Sequence, residues 1–215
     1  MILHTRTLSS ISPFVNPRRT FNHCHEMTTG NLNFRLATEA DAVPLERLIN
    51  TAFRNDKTTQ VFLSADHTGV DVTTVPNIIA KINQPDCAVV AVTDPSTGSI
   101  VAHGSVRKVD DTCAWFGMLA VDVNRQKQGL GAQVLAWAEQ YARREWGSVR
   151  MEFDVVNTRA DLIAWYNRRG YQPTGKTTPF PYEHHGNWEG VLRDDLCFIV
   201  LAKNLGGAPA ATKTG

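Results

Sequence analysis

The sequence contains no apolar run near the ~20 residues that a membrane-spanning helix needs, and no excess of charge of either sign. Its 22 Lys and Arg are matched by 21 Asp and Glu, for a formal net charge of +1. So small a balance creates no global field toward nucleic acid or an anionic membrane, and neither is expected as a partner. Cysteines are few, at Cys24, Cys87, Cys113 and Cys197, and none forms a C-x-x-C pair. That spacing excludes a zinc ribbon or a disulfide framework. Cys87, Cys113 and Cys197 lie in apolar runs, where Cys acts as a small buried hydrophobe, and a reducing compartment is expected. Cys24 stands between His23 and His25 with no fourth ligand held in place, so no metal is expected. The G-x-G-x-x-G and G-K-[ST] phosphate signatures are both missing, as is any internal repeat.

What is present fits one domain with two tails. The chain has 215 residues, 42% hydrophobic and 20% charged, enough for a hydrophobic core. Residues 1–30 carry Arg6, Arg18 and Arg19, many Ser and Thr, and no acid before Glu26. That is the composition of a mitochondrial transit peptide, of a disordered extension, or of residues upstream of a true start at Met27. Residues 205–215 are rich in Gly, Ala, Pro and Thr, and a disordered tail is expected.

Between the tails, strand and helix patterns alternate. Residues 32–35 read as a strand. Thr38 and Asp41 open a helix, and Leu45, Leu48, Ile49 and Ala52 give it one apolar face. A short helix is expected at 75–83. Two β-rich runs, 87–93 and 99–109, flank Asp94-Pro95-Ser96-Thr97-Gly98 and predict a hairpin. A buried strand follows at 113–121, then a loop at 122–129. Leu130, Val134, Leu135, Ala138, Tyr141 and Ala142 form the next helical face, which Gly147 ends. Another strand is expected at 149–156, a helix capped by Thr158 and Asp161 up to Arg169, and a last strand at 195–203. This order predicts an α/β domain with a mixed sheet and helices on both faces.

The loop before the 130s helix carries the chemistry. In Gln126-Lys127-Gln128-Gly129-Leu130-Gly131-Ala132, the glycines let backbone approach a ligand. The first amides of the helix have no intrahelical partner, and the helix dipole adds partial positive charge. A pyrophosphate suits such a place. Gln126, Lys127 and Gln128 add donors, and Arg125 adds charge.

Gln126-x-x-Gly129-x-Gly131 resembles the Q/R-x-x-G-x-G/A signature of the GCN5-related N-acetyltransferases. Met118-Leu119-Ala120-Val121, Asn157 and Trp165-Tyr166-Asn167-Arg168-Arg169-Gly170-Tyr171 extend the resemblance over residues 31–204. It implies a single domain whose central sheet is mixed and mostly antiparallel, with splayed fourth and fifth strands. It implies acetyl-CoA as co-substrate and direct attack by an amine in a ternary complex. The backbone of Met118, Leu119 and Val121 would pair with the pantetheine arm. Gln126, Lys127, Gly129, Gly131 and Ala132 would hold the pyrophosphate, Asn157 would contact the cofactor, and Tyr166 would protonate the leaving thiolate. A small-molecule amine is the expected acceptor, with a protein N-terminus or lysine as one alternative and a non-catalytic CoA sensor as another. A cytoplasmic monomer or homodimer is expected, or a mitochondrial protein if residues 1–26 are a transit peptide.

The sequence departs from the family where a strand-four Glu would serve as base: the matching stretch is Ala114-Trp115-Phe116-Gly117. His103, Asp154 and Glu183 are the candidate bases, beside a water relay. Residues 172–194 are too long and aromatic for a simple hairpin. Within them Tyr182 and Glu183, with Trp115 on the strand, are the candidate acceptor contacts.

Overall fold

A computed structural model describes residues 27–29, 32–55, 72–180, 182 and 193–206. In chain order the elements are β1 (Met27–Thr29), β2 (Leu32–Leu36), α1 (Ala42–Arg54), α2 (Val75–Ile82), β3 (Cys87–Thr93), β4 (Ile100–Lys108), β5 (Cys113–Val121), α3 (Leu130–Trp146), β6 (Arg150–Val156), α4 (Ala160–Asn167), β7 (Gln172–Pro179) and β8 (Cys197–Asn204). The eight strands form one sheet in the order β1-β2-β3-β4-β5-β6-β8-β7. Only β5 and β6 pair in parallel; every other neighbouring pair is antiparallel.

The start of α1 follows from one carboxylate. Asp41 accepts from Thr38 N at 2.7 Å and Thr38 Oγ1 at 3.0 Å, and Arg35 grips its two oxygens at 2.7 and 2.8 Å. The Arg35 hydrogen bonds, with those from Thr38, hold the Asp41 carboxyl at about 2. From there Leu45, Ile49 and Ala52 pack with Ile78 of α2 on Val89, Ala91, Met118 and Ala120. On the opposite face Val134, Leu135, Ala138 and Ala142 of α3 pack with Val90, Val92, Phe116, Met151 and Phe153. Alternate β3 residues thus serve opposite layers, and both are buried. The strand therefore reads as an unbroken apolar run.

Three expectations need correction. Residues 27–29, placed in a disordered extension, pair with β2. Residues 172–179, read as loop, form edge strand β7 along β8, with a register shift between Pro173 and Thr177. Thr158 does not cap α4: the turn is closed by Arg159 N donating to Val156 O at 2.9 Å. Arg159 takes the cap position, and Thr158 Oγ1 is buried without a partner among the described residues.

Candidate active site

The site begins with a bulge. β4 and β5 pair His103 with Ala120 but Ser105 with Gly117, so Met118 and Leu119 together face Gly104. Met118 takes a φ of 55°, a left-handed conformation that costs a non-glycine residue energy. The extra residue increases the twist of β5. Gly104 has to be glycine here, since a Cβ would lie 2.7 Å from Val134 Cγ1 and 3.1 Å from Phe116 Cε2. β5 and β6 stay paired only from Cys113↔Arg150 to Trp115↔Glu152. Beyond that the strands diverge, and the β6 side of β5 from Phe116 to Val121 pairs with no strand among the described residues. Met118, Leu119 and Val121 all lie in this unpaired stretch.

At the end of β5, Asp122 accepts from Asn124 N at 2.9 Å and shapes a tight turn over Val123–Arg125. Lys127 (φ 62°) and Gly129 (φ 82°) then bend the chain into α3. Gln126, Lys127, Gln128 and Gly129 are exposed. Ala132 N and Gln133 N both donate to Gly129 O, at 3.1 and 3.2 Å. The amides of Gly129, Leu130 and Gly131 have no acceptor among the described residues. With those of Lys127 and Gln128, which likewise lack an acceptor among the described residues, they are donors left for an anion, and Ala132 belongs to the frame behind them. No atom lies within 4 Å of a Cβ built on Gly129, so its positive φ, rather than crowding, demands glycine. Open donors, an open approach and the helix dipole fit a pyrophosphate.

Arg125 does not add free charge to this loop. Its guanidinium is paired with Asp94, in the β3–β4 turn. Asp94 also accepts from Ser96 N at 2.9 Å and Ser96 Oγ at 2.6 Å. Those Ser96 bonds, then Arg125, keep the Asp94 carboxyl below its usual range. The pair ties two distant loops together. In the sequence its only trace is an acid in a turn signal and a base in a glycine loop.

Tyr166 sits on α4 with its ring 4.1 Å from that of Phe153 and 4.8 Å from that of Trp165. Phe153 is the first β6 residue past the last β5–β6 pair, so the ring lies at the fork. The residue is 5% exposed, and burial pushes its hydroxyl well above the ordinary tyrosine value. Asn157 donates from Nδ2 to Asp195 O at 3.0 Å and accepts Cys197 N at 3.3 Å. Both ends of its amide thus fasten β6 to the start of β8.

Of the candidate bases, His103 is 3% exposed, with Nδ1 3.0 Å from Val90 O. Desolvation lowers its pKa to about 4, so it is neutral and packed. Asp154 is 6% exposed, and burial raises its carboxyl to about 6. Trp115 is half-buried on β5. The Tyr182 ring lies 5.1 Å from Phe180, and its hydroxyl accepts Leu196 N at 2.8 Å. Glu183 lies outside the described residues, as does Cys24; Cys87, Cys113 and Cys197 are free thiols. Among the described residues no three His, Cys, Asp or Glu side chains could hold a metal, and no helix is long and apolar enough to cross a membrane.

A mixed sheet forked between its parallel strands, with a glycine loop of free amides at the mouth, defines a CoA-dependent acyltransferase. The profile of the Acetyltransferase (GNAT) family matches residues 48–171, and the chain belongs to that family. It is an acyl-CoA-dependent N-acyltransferase with acetyl-CoA as co-substrate. The family's fourth and fifth strands are β5 and β6 here. Similar solved structures include PaiA N-acetyltransferase from Thermoplasma acidophilum in complex with coenzyme A. It is 10% identical with a TM-score of 0.63, over 80% of this chain and 98% of that one. YncA from Salmonella typhimurium, solved with acetyl-CoA, is 20% identical with a TM-score of 0.59, over 85% and 99%. The ribosomal-protein-S18-alanine N-acetyltransferase from Escherichia coli is 16% identical with a TM-score of 0.59, over 84% and 97%. No curated protein sequence matches this chain significantly.

Proposed function

We propose that this enzyme acetylates a primary amine of a small molecule by direct attack on acetyl-CoA in a ternary complex. The observation that carries the reading is the fork: an unpaired strand edge leads straight from the free amides to a buried tyrosine. In this reading the amides of Gly129 and Gly131, with Gln126 and Lys127, hold the pyrophosphate, and Ala132 fixes their helix. The free edge of Met118, Leu119 and Val121 pairs with the pantetheine arm. Acetyl-CoA supplies an activated carbonyl on a thiol leaving group. An unpaired β5 amide polarises that carbonyl, and Tyr166 keeps its proton until negative charge develops on sulfur. Asn157 acts by holding the β6 end of the fork. Acceptor contacts fall to Trp115, Tyr182 and Glu183.

A small acceptor is supported by the wall beside the fork. Seven consecutive β6–β8 pairs, ending at Val156↔Phe198, and the Asn157 fastening leave no edge on the β8 side of β6 for a peptide to lie along. The test is a turnover screen over polyamines, amino acids, aminosugars, arylamines and peptides, with release of free thiol as readout. Small amines are expected to react. Turnover of peptides alone would overturn the small-molecule acceptor. Tight CoA binding with no turnover would overturn acetyl transfer itself.

A further inference from the structure

Strand alternation sorts the residues at the fork by face. Met151, Phe153 and Val155 of β6 pack in the α3 layer. Glu152, Asp154 and Val156 therefore point to the opposite face, where α1 and α2 lie. Trp115 pairs with Glu152 and Asp154 pairs with Val200, which places both partners on that face too. Trp115 and Asp154 thus stand on the two diverging strands, on one side of the sheet. Each carries a polar atom without a hydrogen-bond partner among the described residues: Trp115 Nε1 and Asp154 Oδ1, both buried. A buried donor left unpaired costs stability, and a buried charge costs more. An acid 94% removed from solvent, two residues past the last β5–β6 pair and with an oxygen unpartnered among the described residues, is a poor element of a fold and a good half of a contact.

We infer that Asp154 receives the ammonium group of the acceptor and takes its proton, which makes the substrate an alkyl amine that arrives charged. This rests on the acetyltransferase reading above. The acceptor R–NH3+ gives one proton to the Asp154 carboxylate and becomes R–NH2. Its lone pair forms the new C–N bond while the carbonyl π pair moves to oxygen. When the carbonyl re-forms, the C–S bond breaks and its electron pair stays on sulfur. Tyr166 gives its proton to sulfur and regains one from the nitrogen. Asp154 then returns its proton to water, so the products are the N-acetyl amine, the free thiol and one H+. Trp115 Nε1 is the donor left for a second polar atom of the same acceptor.

Two cations also reach this face, Arg107 as the cross-strand partner of Trp115 and Lys81 of α2 beside His103; the remaining titratable groups on it are engaged or inert. Glu152 is gripped by Arg150, with Nε 2.6 Å from Oε1. Cys113 is buried on β5 and its thiol is pushed up to about 11, chiefly by burial. His103 donates to Val90 O. β8 presents Phe198, Val200 and Ala202, and Glu46 of α1 accepts Val75 N at 2.9 Å. Burial, with Glu152 beside it, raises Asp154 to about 6, which leaves it ionised yet basic at neutral pH.

The experiment compares wild type with Asp154→Asn on two probe amines: benzylamine, an ammonium at neutral pH, and aniline, a free base there. At pH 7 the variant is expected to lose about 100-fold in kcat/KM for benzylamine, at the low end of general-base effects. KM for acetyl-CoA and the rate with aniline should stay near wild type. The loss should shrink about tenfold per pH unit as benzylamine deprotonates unaided. In parallel, the 13C signal of the Asp154 carboxyl should titrate near pH 6 and shift to lower pH when benzylamine is added. Equal losses on both amines at every pH, or no loss, would overturn the role of Asp154, as would a carboxyl titration indifferent to benzylamine. Failure of wild type to acetylate any amine would instead remove the acetyltransferase reading itself.

Discussion

Tyr166 is held by its ring and not by its hydroxyl. Phe153, Trp165 and Tyr171 surround it, and no described residue hydrogen-bonds the oxygen. Removal of that oxygen alone should therefore leave the fold intact. For Tyr166→Phe we expect kcat to fall about 10- to 1000-fold with CoA affinity nearly unchanged, the pattern of an interaction made chiefly in the transition state. That is roughly 1.4–4 kcal/mol at 1.36 kcal/mol per decade. Steady-state kinetics with melting temperature as a folding control decides it; wild-type kcat in a stable variant would return Tyr166 to the core. At this scale legibility was uneven. Tyr166 stood out because a known pattern surrounds it. Asp154 showed only as one acid between Phe153 and Val155, and its isolation depends on β5 and β6 moving apart. The Arg125–Asp94 pair joins residues 31 positions apart, a contact no local pattern encodes.

Elements were read well where both faces are apolar and poorly where neither is. The hairpin of β3 and β4, the α3 face and the glycine loop all declare themselves through period and turn residues. β7 does not: most of Gln172–Pro179 is exposed, and its prolines are tolerated because an edge strand can spare their amides. The Met118 bulge is also silent, since one extra residue in an apolar run changes no composition. The α3 start supports a direct test. CoA should protect wild type against heat by mass action, and Gly129→Asp should abolish that protection. The variant adds a negative charge beside the amides of Leu130 and Gly131, and a side chain where φ is 82°. Differential scanning fluorimetry with and without CoA measures it. Normal protection in a folded variant would move the pyrophosphate elsewhere.

Two buried groups give the whole molecule opposing responses to acid. His103 has its pKa lowered to about 4, so its neutral burial stabilises the fold above pH ~6.5 and that contribution is lost as pH falls toward 4. Asp154 is raised to about 6; it favours the fold below pH ~3.9 and disfavours it as pH climbs through 6. Each amounts to about 3 kcal/mol at 1.36 kcal/mol per unit. The two slopes should largely cancel between pH 4 and 6 in wild type. Asp154→Asn should expose the His103 term. Its melting temperature should exceed that of wild type by several degrees at pH 8 and fall more steeply on acidification. Thermal melts from pH 4 to 8 measure both; parallel curves for the two proteins would exclude the opposition.

The three-pair seam between β5 and β6 bears on how long the protein survives in a cell. Its sheet is a book open at the spine, and in the proposed reading the pantetheine arm of the co-substrate would be the missing page. A ligand that binds only the folded state raises its stability as the ligand's concentration rises. Proteases that sample the open form would clear it faster when CoA runs short. The abundance of this enzyme, and not only its rate, would then follow the supply of its co-substrate.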